Sequence, residues 1–265
     1  MRSGGLFLLP VLALWRREMT RFLRQRNRII GALATPLVFW LLIGSGLGDS
    51  FAAPGVEGGF MRYFFPGTVV LILLFTAIFS TVSIIEDRRD GFLQGVLVAP
   101  VSRASIVLGK CLGGMTLAAL QAAIFCLAAP WVGLPFDGIV VFRLLAALLL
   151  GGLALTAMGF IIAWPLESTQ GFHVLMNLVL VPLWLLSGAF FPARTGAWTE
   201  WAVALNPVAY VTAAVRRSFY GDGADLGLVP SYGAAMTVTA IFAVVMFLLA
   251  LRAVRRGGPG SRCSL

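Results

Sequence analysis

Six long apolar runs decide the fold class of this chain. They occupy residues 29–47, 64–85, 106–129, 144–164, 172–191 and 232–251, and a helix needs about 20 apolar residues to cross a bilayer. Hydrophobic residues make up 59% of the chain and charged ones only 12%, against roughly 25% charged in soluble proteins. The sequence therefore predicts an all-α polytopic membrane protein with six transmembrane helices, in a single domain over residues 1–265.

Basic residues are distributed unevenly between the ends of these runs. The flanks on one side hold fifteen Lys and Arg residues, and those on the other side hold five. Because cytoplasmic flanks collect Lys and Arg, we expect both termini in the cytoplasm and a location in the cytoplasmic (inner) membrane. Lys110 and His173 lie near run ends and are expected to reach the membrane surface.

Residues 6–26 have the pattern of an amphipathic helix that lies on the membrane surface. One face collects the apolar side chains Leu8, Val11, Leu12, Trp15, Met19, Phe22 and Leu23. Arg17, Arg21 and Arg24 occupy the opposite face, where they would meet anionic headgroups. A disordered basic tail is the alternative.

A patterned polar segment, residues 86–105, separates the second and third runs; we call it the inner loop. Glu86, Arg88 and Arg89 stand in its first four positions, and a short amphipathic stretch follows before Pro100. This pattern predicts a small helix on the cytoplasmic surface that contacts a soluble partner. We expect the apolar contact to come from Phe92, Leu93 and Leu97, while Arg88, Arg89 and Arg103 hold the segment at headgroup level.

The outer segment, residues 192–231, contains a second short helix with complete boundary signals. Asn206 is a good N-cap, Pro207 suits the first helical position and Gly221 ends the helix. Val208, Val211, Val215 and Phe219 share one face. We expect an interfacial or re-entrant helix, with a plain extracytoplasmic loop as the alternative. Arg216 and Arg217 are expected to contact lipid phosphate or a polar cargo group.

Most catalytic chemistry is absent from the sequence. We find no phosphate-binding loop, no metal-ligand spacing and no nucleophile motif, so neither a cofactor nor enzymatic activity is expected. Because basic residues cluster at run ends, the net charge of +9 does not indicate nucleic-acid binding. No carboxylate falls in the middle of a run, which disfavours a secondary transporter.

Two pairs, Gly44/Gly48 and Gly109/Gly113, have the spacing that lets helices approach closely.

Three features together resemble the permease subunit of type-2 ATP-binding cassette (ABC) transporters, in the group of drug, lipo-oligosaccharide and polysaccharide exporters. The first is the basic amphipathic helix before the first run. The second is the inner loop, with Glu86, the Gly-Phe-Leu at 91–93 and the Leu-Val-Ala-Pro-Val-Ser at 97–102. The third is the Asn-Pro-Val-Ala-Tyr at 206–210. Many relatives have an acidic residue shortly after the Gly-x-Leu, where this chain has Gln94 and Gly95.

The resemblance implies an exporter permease whose inner loop is the coupling helix, docked on a separate cytoplasmic ABC ATPase. The residues expected at this contact are Glu86, Arg88, Arg89, Gly91, Phe92, Leu93, Leu97, Pro100, Ser102 and Arg103. The outer helix would act as a gate through Asn206, Pro207, Tyr210 and Arg216. Six spans are half of an exporter, so we expect a second permease copy in the bilayer. In this homodimer Gly44, Gly48 and the first run would lie near the seam, together with the fifth run; a heterodimer stays open. The alternative is a membrane scaffold, or a secondary transporter without an ATPase.

Overall fold

A backbone inside hydrocarbon has to satisfy its own hydrogen bonds, and a helix does so within one segment. The computed structural model describes residues 3–47, 59–190 and 198–256, and within these residues the chain is helical and contains no strand. The helices are α1 (Ser3–Arg24), α2 (Arg26–Leu47), α3 (Gly59–Ser80), α4 (Val82–Arg89), α5 (Phe92–Val98), α6 (Arg103–Cys126), α7 (Gly138–Ala163), α8 (Thr169–Trp184), α9 (Trp198–Leu205), α10 (Pro207–Tyr220) and α11 (Tyr232–Arg255). The predicted fold class is confirmed.

Five stretches of the described chain are helical, long and apolar enough to cross a membrane. They are Gly59–Arg89, Arg103–Cys126, Gly138–Ala163, Thr169–Ala189 and Tyr232–Arg255. The apolar part of α2, Ile30–Gly46, is shorter than these. The protein is therefore a multi-pass membrane protein, and the count of six spans stays a prediction.

Helix α3 is the centre of the bundle, with α2, α6 and α7 packed around it. Nearly all of its side chains are buried, including Phe64 and Phe65, which stack on Phe60 and Phe125 respectively. Helix α1 packs along α6, and α11 packs along α7. Helix α4 contacts α7, and α6 contacts both α7 and α11.

The predicted close approach at Gly109 and Gly113 is confirmed, and it serves α1. A Cβ atom on Gly109 would lie 2.8 Å from Cβ of Leu14, and one on Gly113 would lie 2.8 Å from Cβ of Glu18. For the other pair, a Cβ on Gly44 would lie 3.3 Å from Cγ of Met61 in α3 of the same chain, while the position of Gly48 is outside the described residues. Gly44 thus contributes to packing within the chain.

Helix α8 does not end at Trp184 but continues as a π-helical turn, Leu185–Ala189. Pro182 lies just before this turn, and its ring removes one hydrogen bond of the helix. Gly188 adopts φ 75° inside the turn, a conformation that side chains other than glycine disfavour. The backbone carbonyl of Gly188 is thereby turned toward α3 and α10.

Candidate functional site: the coupling surface, its ion cluster and the outer helix

The inner loop contains the end of α4, the whole of α5 and the first residues of α6. A sharp bend joins α4 to α5. Gly91 makes the bend with φ 75°. Helix α5 ends before Pro100, and Ser102 caps α6 by accepting a hydrogen bond from the Ser105 amide at 3.0 Å. The predicted short helix on this side of the protein is present.

The apolar residues of α5 divide between the two sides of the helix. Leu93 is only 3% exposed and belongs to the hydrophobic core, whereas Leu97 is 41% exposed and Val98 is 87% exposed. Phe92 is partly covered, with the Arg17 guanidinium 3.7 Å from its ring centre. The expectation that Leu93 contacts a partner was therefore wrong, because α5 uses that side to dock on its own bundle.

The arginines of the inner loop do not all face lipid headgroups either. Arg88 donates to the carbonyl oxygens of Trp164 at 2.5 Å and Leu166 at 3.2 Å, and Arg103 donates to that of Arg255 at 2.6 Å. These carbonyls are at the C-terminal ends of α7 and α11, where unpaired oxygens attract cations. Arg89 is exposed. Two of the three expected headgroup contacts are thus corrected to contacts with helix ends.

A buried ion cluster lies at the root of the inner loop. Asp87, fully buried, accepts hydrogen bonds from Arg17 at 2.6 Å and Arg21 at 2.8 Å and pairs with Lys110. Lys110 also binds Glu18 at 2.5 Å, and Arg21 binds Glu86 at 2.6 Å. The cluster joins α1, α4 and α6.

Charges within this cluster balance, with three carboxylates facing three cations. The hydrogen bond to Asp87 raises the pKa of Arg17 above its usual value, so that this guanidinium stays charged. Lys110 is only 6% exposed, which overturns the expectation that it reaches the membrane surface. Likewise, Arg17 and Arg21 meet carboxylates of α4 where headgroups were expected.

Sequence reasoning missed Glu18, Asp87 and Lys110 as members of one site. The available signal was the spacing of Arg17 and Arg21, four residues apart on one helix face, together with the acidic pair at the end of the second run. Pairing them requires the docking of α1 onto α4, which no local pattern specifies.

The outer helix α10 has the predicted boundaries. The side chain of Asn206 accepts from the Val208 amide at 2.9 Å and donates to the Leu183 carbonyl at 2.5 Å. Pro207 is the first helical residue, and Gly221 ends the helix with φ 74°. Tyr210 donates to the Ala204 carbonyl at 2.9 Å, which ties α10 to α9.

Burial continues around most of α10, so the bundle covers the helix on most sides; its depth relative to the membrane interface stays a prediction. It packs against α3, α7, α11 and the π-helical turn, and the four predicted apolar residues are buried. Arg217 donates to the carbonyls of Ala224 and Val229 at 2.7 Å each and to that of Pro230 at 3.2 Å. This corrects the expected lipid contact of Arg217, whose guanidinium holds the loop before α11. Arg216 is also buried, 3% exposed.

A family model described as ABC-2 type transporter matches residues 10–220 of the chain. The chain belongs to the ABC-2 type transporter family. Among similar proteins, Nodulation protein J of Rhizobium leguminosarum bv. viciae is 24% identical over 259 residues, which cover 96% of each chain. The putative transport permease ycf38 of Cyanophora paradoxa is 25% identical over 217 residues, 79% of this chain and 74% of that one. The probable multidrug ABC transporter permease YbhR of Escherichia coli K12 is 24% identical over 147 residues, 55% and 40% of the two chains.

The protein is thus a transport permease subunit of an ABC transporter. Its surface carries a groove that borders the inner loop. This groove lies between α2, α3 and α8 and has a volume of about 710 Å³. Its lining is mainly apolar but includes the polar side chains of Gln25, Thr35, Thr76, Glu86, His173 and Asn177. It therefore extends from the inner end of α4 to the middle of the bundle.

Among the described residues, no three His, Cys, Asp or Glu side chains come together as a metal site.

Proposed function

We propose that this permease exports a drug-like, lipidic or glycan molecule across the cytoplasmic membrane, driven by a separate cytoplasmic ABC ATPase. The exposed tip of α5 carries the proposal. Leu97 and Val98 present apolar surface beside a charged loop, and the opposite side of α5 is anchored in the core through Leu93. An apolar tip on a fixed base suits insertion into a groove of a soluble partner.

The distribution of charge supports the side of the membrane, and the relatives support the class of cargo. The three-to-one excess of Lys and Arg on the α5 side supports a cytoplasmic location for α5 and both termini. A relative whose name includes multidrug transport supports a small or lipidic cargo. ATP would bind to the partner subunit, because the permease sequence has no phosphate-binding loop.

The ion cluster supports a mechanical role for the inner loop. Movement of α5 would reach α1 and α6 through α4, because Asp87 of α4 pairs with Arg17 of α1 and with Lys110 of α6. Arg88 and Arg103 add attachments to α7 and α11. Force applied to the tip of α5 would therefore move several helices together.

Two copies of the permease would pair around a central route. Asn177, halfway along α8, is exposed on the surface of the single chain and lines the groove. An amide in contact with hydrocarbon loses hydrogen bonds at a cost of several kcal/mol. A second copy, or a water-filled passage between two copies, would relieve that cost. Helix α10 with Asn206, Pro207, Tyr210 and Arg216 would then close the outer end.

Replacement of Leu97 and Val98 by Asp tests the ATPase contact. The double variant should insert and fold normally, since both side chains are exposed, but should lose co-purification with the proposed partner ABC ATPase. The control is Gln170→Asp, an exposed position in the first turn of α8, where a carboxylate suits the helix N-terminus. Normal ATPase binding by Leu97→Asp/Val98→Asp would refute the proposed contact.

A further inference from the structure

A small cavity lies within the single chain on the side opposite the inner loop. It measures about 260 Å³ and is enclosed by α9, α10, the π-helical turn and the loop before α11. Its polar lining comes from Tyr63, Ser187, Glu200, Tyr210, Thr212 and Arg216. The groove between α2, α3 and α8 shares none of these residues, so the two spaces are distinct.

Arg216 carries the only cationic side chain among the described residues that line this cavity. Its Nη2 donates to the Gly188 carbonyl at 3.1 Å, and its guanidinium carbon lies 4.4 Å from the Tyr63 ring centre. Within the described part of the chain, its Nε is buried without a hydrogen-bond partner, and no carboxylate forms a salt bridge with it. An unpaired cation in a buried position is costly.

The neighbouring Arg217 provides an internal comparison. It is equally buried, yet its guanidinium donates to several backbone carbonyls of the loop before α11. A guanidinium has five N–H bonds to donate, and Arg217 donates to carbonyls that hold the loop before α11 in place. Arg216 lines a cavity, and its Nε has no hydrogen-bond partner in the described part of the chain.

The surroundings of Arg216 hold it in a fixed orientation. The Gly188 carbonyl also accepts from the Tyr63 hydroxyl at 3.1 Å, and Thr212 bonds Ser187 at 3.2 Å. The π-helical turn positions that carbonyl, and π-helical turns within helices are frequent at functional sites. An ordered cation beside an enclosed space is what anion recognition requires.

We propose that this cavity binds one phosphate or carboxylate group, with Arg216 as its charged partner. With a volume of about 260 Å³, the cavity has room for such a group with a short polar substituent, since one buried water needs only about 10–15 Å³ on the same kind of measure. Glu200 lines the same space, which favours a ligand with one negative charge and with donor groups beside it. Phospholipid headgroups and small acidic molecules both have this chemistry.

The neighbourhood of the cavity indicates how a headgroup could reach it. Trp198 and Trp201 of α9 are exposed, and tryptophan favours the membrane–water interface. A lipid could place its headgroup in the cavity while its chains stay in the bilayer. The proposal relies on the proposed function only for which leaflet the cavity faces; binding itself requires neither ATPase nor export.

Binding to the purified permease in detergent tests the proposal with two probes, short-chain phosphatidylglycerol and inorganic phosphate. We expect the wild type to bind at least one of them, and Arg216→Gln to bind about tenfold more weakly or less, because a charge-assisted bond is lost. Arg216→Lys should retain part of the affinity. Arg143→Gln, which also removes one cation from this side of the protein, should bind as the wild type does.

A second variant covers the case in which Arg216→Gln does not fold. Ala209 lines the cavity, and Ala209→Leu would fill space while Arg216 stays in place, so it should also weaken binding. Binding of the lipid alone would identify a headgroup site, and equal competition by phosphate would identify a site for small anions; either result supports the cavity as an anion site. Unchanged affinity in both Arg216→Gln and Ala209→Leu, or no binding of either probe by the wild type, would overturn it.

Discussion

Substitution of Lys110 by Met tests whether the ion cluster holds the inner loop to the bundle. Met has nearly the length of Lys but no charge, so the change removes the ion pairs and keeps most of the packing. Lys110 is 6% exposed and bonds Glu18, Ser83 and Asp87. Its loss affects the two carboxylates differently.

The expected cost can be worked out from what each carboxylate retains. Asp87 keeps Arg17 at 2.6 Å and Arg21 at 2.8 Å, so it stays compensated. Glu18 keeps only Arg17, with 3.8 Å between the charged atoms. Breaking a buried pair costs about 3–5 kcal/mol, and with one carboxylate still paired we expect the lower end, about 3 kcal/mol. The double variant Lys110→Met/Glu18→Gln also removes the Glu18 carboxylate, which has lost its main partner. Its loss of stability should be only about 1 kcal/mol, because the effects of substitutions at neighbouring groups are not additive.

The measurement is the free energy of unfolding in bicelles, obtained by steric trapping, for the single and double variants. Arg89→Met is the matched control, because Arg89 is exposed and surface substitutions change stability by about 0.5 kcal/mol or less. In reconstituted complexes, Lys110→Met should also retain ATP hydrolysis and reduce export. A single variant as stable as the control, or a double variant less stable than the single one, would show that the cluster does not hold these helices together.

Four further substitutions test other elements. Gly91→Ala should cost about 1–2 kcal/mol of stability in the same unfolding measurement, through left-handed strain alone, since a Cβ there meets no atom within 4 Å. Asn206→Ala should cost about 2 kcal/mol of stability, because it removes the helix cap and leaves the Leu183 carbonyl without its donor. Pro207→Ala should have only a mild effect. An equal loss of stability in the two variants would contradict the capping role. Ser45→Cys, on the exposed side of α2, should cross-link two copies in membranes, and a monomeric band under oxidation would move the dimer seam elsewhere.

Local rules account for the parts of the fold that the sequence predicted correctly. Apolar length predicts the spans because hydrocarbon leaves the backbone no alternative to a helix. The ends of α10 follow from Asn206, Pro207 and Gly221 because capping depends on neighbours within a few residues. The close contact of α1 with α6 could be anticipated only as a possibility at Gly109 and Gly113, since small residues permit an approach without naming the partner.

The errors concern contacts between segments far apart in the chain. Lys110 meets Glu18, 92 residues away, and Asp87, 23 residues away, and no periodicity encodes such pairs. Leu93 is another case, because a seven-residue helix has too few turns to show which side is covered. Arg88 was assigned to headgroups because the carbonyls at the end of α7 become available only when the helices are assembled.

Buried charges at the two ends of this permease differ in a way that separates structure from function. At the inner end, Asp87 and Lys110 are balanced by each other and by Arg17, Arg21 and Glu18 within the chain. At the outer end, Arg217 is satisfied by backbone carbonyls, whereas Arg216 has a buried donor without a partner in the described chain. The two adjacent arginines are both buried, so burial alone does not explain why only Arg216 has a donor without a partner in the described chain. The unmet donor beside a cavity is therefore the position at which we propose that an anion binds, whereas the balanced inner cluster is the position at which we propose that movement of the inner loop is transmitted.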